Sequence, residues 1–250
     1  MEFNVGKCAI MNITTKRNKS LFNYAMKGQT LEVVKHHPYL GIELSDNMKY
    51  NIHIDNITSN ASRVLGFLKR NLKHCPQKVK ERAYHSLVRP KVEYSSTIWN
   101  PQYKTQVKQI EQVQRNAARF VLNKPYNRQN PSSVTPMLQQ LNWSSLEQRR
   151  NNFDLIFMYK IVHQLVAVPV YYLPTASIRY AKDDTVYRCQ TNNSTRNNMK
   201  FLTFHCKINA YQHSFFPRVV IPWNKLPETT LRQDTLDGFK AVVQPNARAH

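Results

Sequence analysis

The chain has 250 residues, 41% of them apolar or aromatic, which is enough to bury a sizeable core and excludes a disordered tail. A formal charge of +21 and a pI near 10.0 exclude an ordinary near-neutral surface and point to a polyanion, nucleic acid or an anionic membrane, as partner. No run approaches the roughly 18 apolar residues of a membrane span and no signal segment follows Met1, so an intracellular protein, nuclear or cytoplasmic, is expected.

Residues Ala9 to Ile13 alternate as a strand with nothing before it to pair against. Tyr24 to Met26, a turn at Lys27-Gly28-Gln29, and Thr30 to Val34 read as a hairpin, and Tyr39 to Leu44 as a further strand. These short strands lack a covering helix, which makes them a poor independent unit. From Lys49 to Leu72 the pattern is helical, with Ile57, Ala61, Val64, Leu65, Leu68 and Leu72 on one face. A helix from Lys78 to Arg89 follows Pro76 and is expected to stop at Pro90, with Arg89 pushed out of helical geometry. After an aromatic segment from Val92 to Pro101, a helix from Lys104 to Leu122 puts Val107, Ile110, Val113, Ala117, Phe120 and Val121 on one stripe. Lys104, Lys108, Arg115 and Arg119 fall off that stripe. Lys and Arg outnumber Asp and Glu by 14 to 3 between residues 61 and 125, so the basic density peaks here.

Asn123 to Pro131 is polar and proline-containing and reads as a linker. Thr135 to Leu141 reads as a short helix. Ser144-x-x-Glu147 reads as a capping box for a helix reaching Leu165, apolar on nearly all sides from Phe153 to Val162 and hence central to a second core. Ala176 to Asn198 is polar and basic and reads as a loop, Phe201 to Ile208 as a strand, His213 to Trp223 as an aromatic, proline-broken stretch, and Thr235 to Val243 as a closing helix. Residues 244–250 read as a tail. The expected class is α+β, mainly α: short N-terminal antiparallel strands, a basic helical bundle, then a helical or mixed C-terminal region. The four cysteines (Cys8, Cys75, Cys189, Cys206) form no C-x-x-C pair, so neither a disulfide framework nor a zinc knuckle is indicated, and no metal ligands are assigned. The absence of a G-x-S-x-G elbow and a total of five glycines weigh against hydrolase and phosphate-cradling-loop chemistry.

The landmarks Lys7-Cys8, Tyr39-Leu40-Gly41, Leu65-Gly66-Phe67-Leu68, Ala83-Tyr84, Leu87-Val88-Arg89-Pro90, Glu93-Tyr94, Ala117-Ala118-Arg119-Phe120, Arg149-Arg150, His213 to Pro217, and Trp223-Asn224 with Leu226-Pro227 run collinearly. The series resembles the C-terminal part of the reverse transcriptase of jockey-like and chicken-repeat-type non-LTR (LINE) retrotransposons, over nearly the whole chain. The resemblance implies the end of a polymerase palm in residues 1–48, a helical thumb and extension in 49–125, a post-thumb region in 132–243 and a tail in 244–250. It implies an accessory proton-donor role for Lys7. It also implies nucleic-acid contacts, to an RNA/DNA template-primer duplex, from Arg63, Lys69, Arg70, Lys73, Lys78, Lys80, Arg82, Arg115 and Arg119.

Polymerase chemistry needs Mg²⁺ held by palm carboxylates. The family's F/Y-A-D-D element is absent, and Lys182 and Thr185 flank the one Asp pair, Asp183-Asp184. The chain by itself is therefore expected to bind template-primer nucleic acid without polymerising and without a cofactor of its own, Mg²⁺ being required only by an intact polymerase. The alternatives are a host-retained, non-enzymatic nucleic-acid-binding protein and an inert retroelement remnant.

Overall fold

The computed structural model describes residues 4–14, 22–124, 134–168 and 200–244. They are mainly helical, with a few short strands near the N-terminus. β1 (Ala9–Ile10) pairs in parallel with β4 (Glu32–Val33), so the strands are not all antiparallel as expected, and Ala9 finds its partner later in the chain. β2 (Ala25–Met26) and β3 (Gln29–Thr30) form the expected hairpin, and its turn places Lys27 and Gly28 at φ 52° and 77°, both positive as a two-residue primed turn requires. The single strand expected from Tyr39 to Leu44 is instead the tip of a second hairpin, β5 (His36–Tyr39) and β6 (Ile42–Ser45). Leu40 and Gly41 take φ of 48° and 81° and turn the chain. A Cβ on Gly41 would also lie 3.3 Å from the Tyr94 ring, whose hydroxyl donates to the Leu40 carbonyl. That hairpin is covered: Ile42 is buried, and the Glu43 N–H donates to Nδ1 of the buried His53 on the following helix. Burial, opposed by the charge of Glu43, holds His53 below the ordinary histidine pKa, in keeping with a neutral ring accepting at Nδ1.

α1 (Asn51–Asn71) buries Ile54, Ala61, Leu65 and Leu68, on the face its periodicity marks out. α2 (Gln77–Ala83) then departs from expectation, because the chain does not leave helical geometry at Pro90. Residues Tyr84–Val88 widen into a π turn in which the Arg89 N–H donates to the Tyr84 carbonyl, and Arg89–Val92 continue as a 3-10 turn with Arg89 itself in the αR region. Widening the turn keeps the proline ring off the carbonyl four residues back, so the ring is accommodated rather than terminating the helix. The elbow falls later, at Ser95, whose φ of 50° is left-handed. α3 (Ser96–Trp99) drives Trp99 fully into the core, and its indole N–H donates to the Tyr94 carbonyl. α4 (Lys104–Val121) and α5 (Val134–Gln140) complete this core. Here Tyr84 stacks on Trp143, with ring centroids 4.5 Å apart, and the Trp143 N–H donates to Glu81.

α6 (Leu146–Val162) is capped one residue later than the expected box: Ser145 accepts from the Gln148 N–H, while the Glu147 N–H donates to Glu111 of α4. Its N-terminal Leu146 belongs to the first core, and Leu155, Met158 and Ile161 belong to a second. The second core also takes residues from α8 (Phe215–Asn224), α9 (Glu228–Leu231) and α10 (Leu236–Val243), with α7 (Asn209–Gln212) packed beside α8. Two further expectations are corrected. The stretch from His213 to Trp223 is helical in α8, with Pro217 in the first turn, where no donor is needed, and Pro222 near the end. Residues from Phe201 to Ile208 form no strand beyond an isolated bridge at Phe201. The Asn224 side-chain amide takes a strand's place there, accepting from the Phe201 N–H and donating to its carbonyl. The linker beyond Lys124, the polar loop from Ala176, the Asp183-Asp184 pair, Cys189 and the tail from residue 245 fall outside the described residues.

Candidate nucleic-acid interface

The solvent face of α4 is built by spacing. Lys104, Lys108, Arg115 and Arg119 recur at intervals of four, seven and four, which at 3.6 residues per turn confines them to an arc of about 60° along about 22 Å of helix. Lys104, Lys108 and Arg115 are exposed and Arg119 is half-buried. An ordinary solvated helix face mixes charge signs; this one carries no acid. Glu111, the one carboxylate of α4, is buried and accepts from the Glu147 N–H at 2.7 Å. Burial raises its pKa above the usual carboxylate range, against the lowering effects of that hydrogen bond and of Arg150.

α1 lies beside α4 in parallel. Gln106 donates to Asn51, and Gln109 donates to Asp55 and Thr58, so the two N-terminal ends are neighbours, and Lys69 and Arg119 meet at the other end. Parallel packing therefore gathers Lys69, Arg70 and Lys73 beside Arg119 and Lys124. Two helix C-termini bring together about one negative charge in all. Five cations exceed that, and the sequence holds no acid between Asp55 and Glu81 or between Glu111 and Glu147 to make up the difference. Partial burial, and then the charge of Arg119, hold Lys69 below the ordinary lysine pKa.

Lys78 and Arg82 are exposed on α2, and Arg63 is exposed midway along α1, where it donates to Asn60. Lys80 is corrected. Its side chain is 1% exposed, its Nζ donates to Asn123 Oδ1 at 2.6 Å and it lies over the Phe120 ring, so it joins α2 to the end of α4 and is not presented to a phosphate. Lys7 is exposed on the 3-10 turn Val5–Lys7, which belongs to the β-layer and not to the α1–α4 pair. Lys104, Lys108 and Lys124 also enter the site, although the resemblance assigns them no contact. Lys104 and Lys108 are legible in the 4-7-4 spacing, whereas Lys124 and the parallel packing that makes one surface of α1 and α4 are not.

Several acids of the helical region point the other way. Glu93 accepts a two-pronged pair from Arg149, with Arg89 also alongside at 3.7 Å. Asp154 accepts from Arg218 at 3.0 and 3.2 Å and from Asn100 at 3.0 Å, and burial raises its pKa against the lowering effect of Arg218. Internal pairing of these carboxylates leaves Asp55 as the one exposed acid of α1 and α4, outnumbered by their lysines and arginines. Among the described residues no three His, Cys, Asp or Glu side chains converge as a metal site. No helix among them is long and apolar enough to cross a membrane.

No family model, curated protein or solved structure matches the chain.

Proposed function

We propose that the chain binds nucleic acid by gripping phosphates along α4 and the C-terminal end of α1. The observation that carries this reading is the acid-free cationic face of Lys104, Lys108, Arg115 and Arg119, continued by Lys69, Arg70 and Lys73. Each engaged phosphate releases counterions, so log K falls by about 0.9 per contact per log unit of salt on duplex DNA and by about 0.7 on a single strand. Contacts of this kind position a strand without reading its bases, so sequence preference is slight. The collinear landmarks described above favour a finer form of the reading, a thumb-like grip of a LINE-type reverse transcriptase holding an RNA/DNA template-primer, with Lys7 accessory at most and no polymerisation by this chain alone. A filter-binding titration over salt tests the grip: steeply salt-dependent binding of duplex and hybrid is expected, and a flat response or no binding at low salt would overturn it. A primer-extension assay with Mg²⁺ tests the second part, and extension by the purified chain would refute it.

A further inference from the structure

Where the N-terminal ends of α1 and α4 meet α3, α7 and α8, a cleft of about 820 Å³ opens between the two cores. That volume lies within the range of about 300–1,000 Å³ in which small organic groups are bound. Its walls are aromatic, with Tyr50, Trp99, Tyr103, Tyr211, Phe215 and Phe216 among them. Tyr103 and Tyr211 remain 39% and 47% exposed. One rim is polar. Gln106 Nε2 donates to Asn51 Oδ1, and this leaves the Gln106 Oε1 acceptor and the Asn51 Nδ2 donors on the cleft's edge, beside Lys49. The same rim continues into a smaller polar hollow lined by Lys49, Asp55 and Gln109, where the Gln109 amide donates to Asp55.

Resting on the phosphate-grip reading, we propose that this cleft receives one unstacked base of a single strand bound along α4. Continuity selects this occupant. Tyr103 lines the cleft and the next residue, Lys104, begins the cationic stripe, so a strand following the stripe toward the N-terminal end of α4 arrives at the aromatic mouth. A nucleobase has two apolar faces for the ring walls and a polar edge for the amide rim. Its phosphate stays on the side of Lys104, where the cationic stripe begins. Ring stacking tolerates any base, so the site adds affinity with little sequence preference.

Anisotropy of a labelled single-stranded thymidine 12-mer, against a 12-mer of the same length made of abasic sugars, tests this at matched salt. The abasic strand is expected to bind about tenfold more weakly or worse, and the Y103A/Y211A protein is expected to bind both strands equally with its salt slope unchanged. Equal affinity of the two strands for the unaltered protein would overturn the base site, as would a base preference that survives in the double variant. Should the double variant lose its cooperative melt, photocrosslinking of a 5-iodouracil-bearing strand to the unaltered protein decides. Crosslinks at Tyr103 or Tyr211, the exposed rings of the cleft, are expected, and crosslinks confined to other residues refute the site. Failure of both strands to bind in a salt-dependent way would instead bring down the phosphate grip on which the proposal stands.

Discussion

Two lysines on neighbouring helices show how little residue type alone decides. Lys80 and Lys108 are both cations in amphipathic helices, yet Lys80 is buried against Phe120 and Asn123 while Lys108 faces solvent. The difference lies in what each stem meets after packing. Replacing Lys80 with alanine removes a buried hydrogen bond and a ring contact, so a loss of about 1–3 kcal/mol in stability is expected, with the salt slope of nucleic-acid binding unchanged. Arg115→Ala should do the reverse, leaving the stability within about 0.5 kcal/mol of wild type and reducing the duplex salt slope by about one contact's worth, about 0.9. Thermal melts and salt titrations of the two variants check both. If R115A leaves the slope untouched, Arg115 makes no phosphate contact.

At the level of elements, helix ends account for much of the chain's path. α4, α5 and α6 each close with a left-handed residue, Asn123, Asn142 and Gln164, at φ of 53° or 54°. In each case the next N–H reaches back to the carbonyl five residues earlier: Lys124 to Arg119, Trp143 to Leu138 and Leu165 to Lys160. This is the closing hydrogen bond for which glycine is favoured and asparagine is second best. Gln164 has neither advantage, so Q164G is expected to raise stability by up to about 1 kcal/mol, whereas a glycine inside α6 would lower it by a similar amount. Chemical denaturation resolves a change of this size, and a destabilised Q164G would contradict the left-handed assignment. The sequence reads as one strand through Leu40-Gly41 because alternation alone cannot see a two-residue reversal. Pro90 does not act as the stop its sequence context predicts, because a π turn can absorb a proline when its neighbours, here Tyr84, Val88 and Val92, are all drawn into one core.

Across the whole molecule, among the described residues, α6 runs through both cores and Arg218 ties them together as well. Arg218 on α8 donates to both oxygens of Asp154 on α6, to the Thr97 carbonyl of α3 and to the His213 carbonyl, spanning the second core and the elbow of the first. With its side chain 4% exposed, Asp154 would lose its one ion pair if Arg218 were removed and keep only the Asn100 hydrogen bond and the charge of Arg150 nearby. A loss of about 3–5 kcal/mol is expected for R218A. Calorimetry should turn one cooperative transition into two, because the α8–α10 side no longer holds α3 in place. A single transition shifted as a whole would mean that apolar contacts along α6 couple the cores without the arginine.

The helices α1, α4, α6 and α10, the first hairpin turn and the placement of the basic density in the middle of the chain were all legible in the residues themselves. Each depends on local periodicity, local turn chemistry or local charge, and these act between residues only a few positions apart. Only the tertiary structure decided that α1 and α4 lie parallel, that Lys80 faces inward, that Glu93, Glu111 and Asp154 are taken into the interior, and that an aromatic cleft opens beside Tyr103. All four depend on contacts between residues tens of positions apart. A chain's local preferences leave such contacts open until burial and hydrogen bonding select one arrangement.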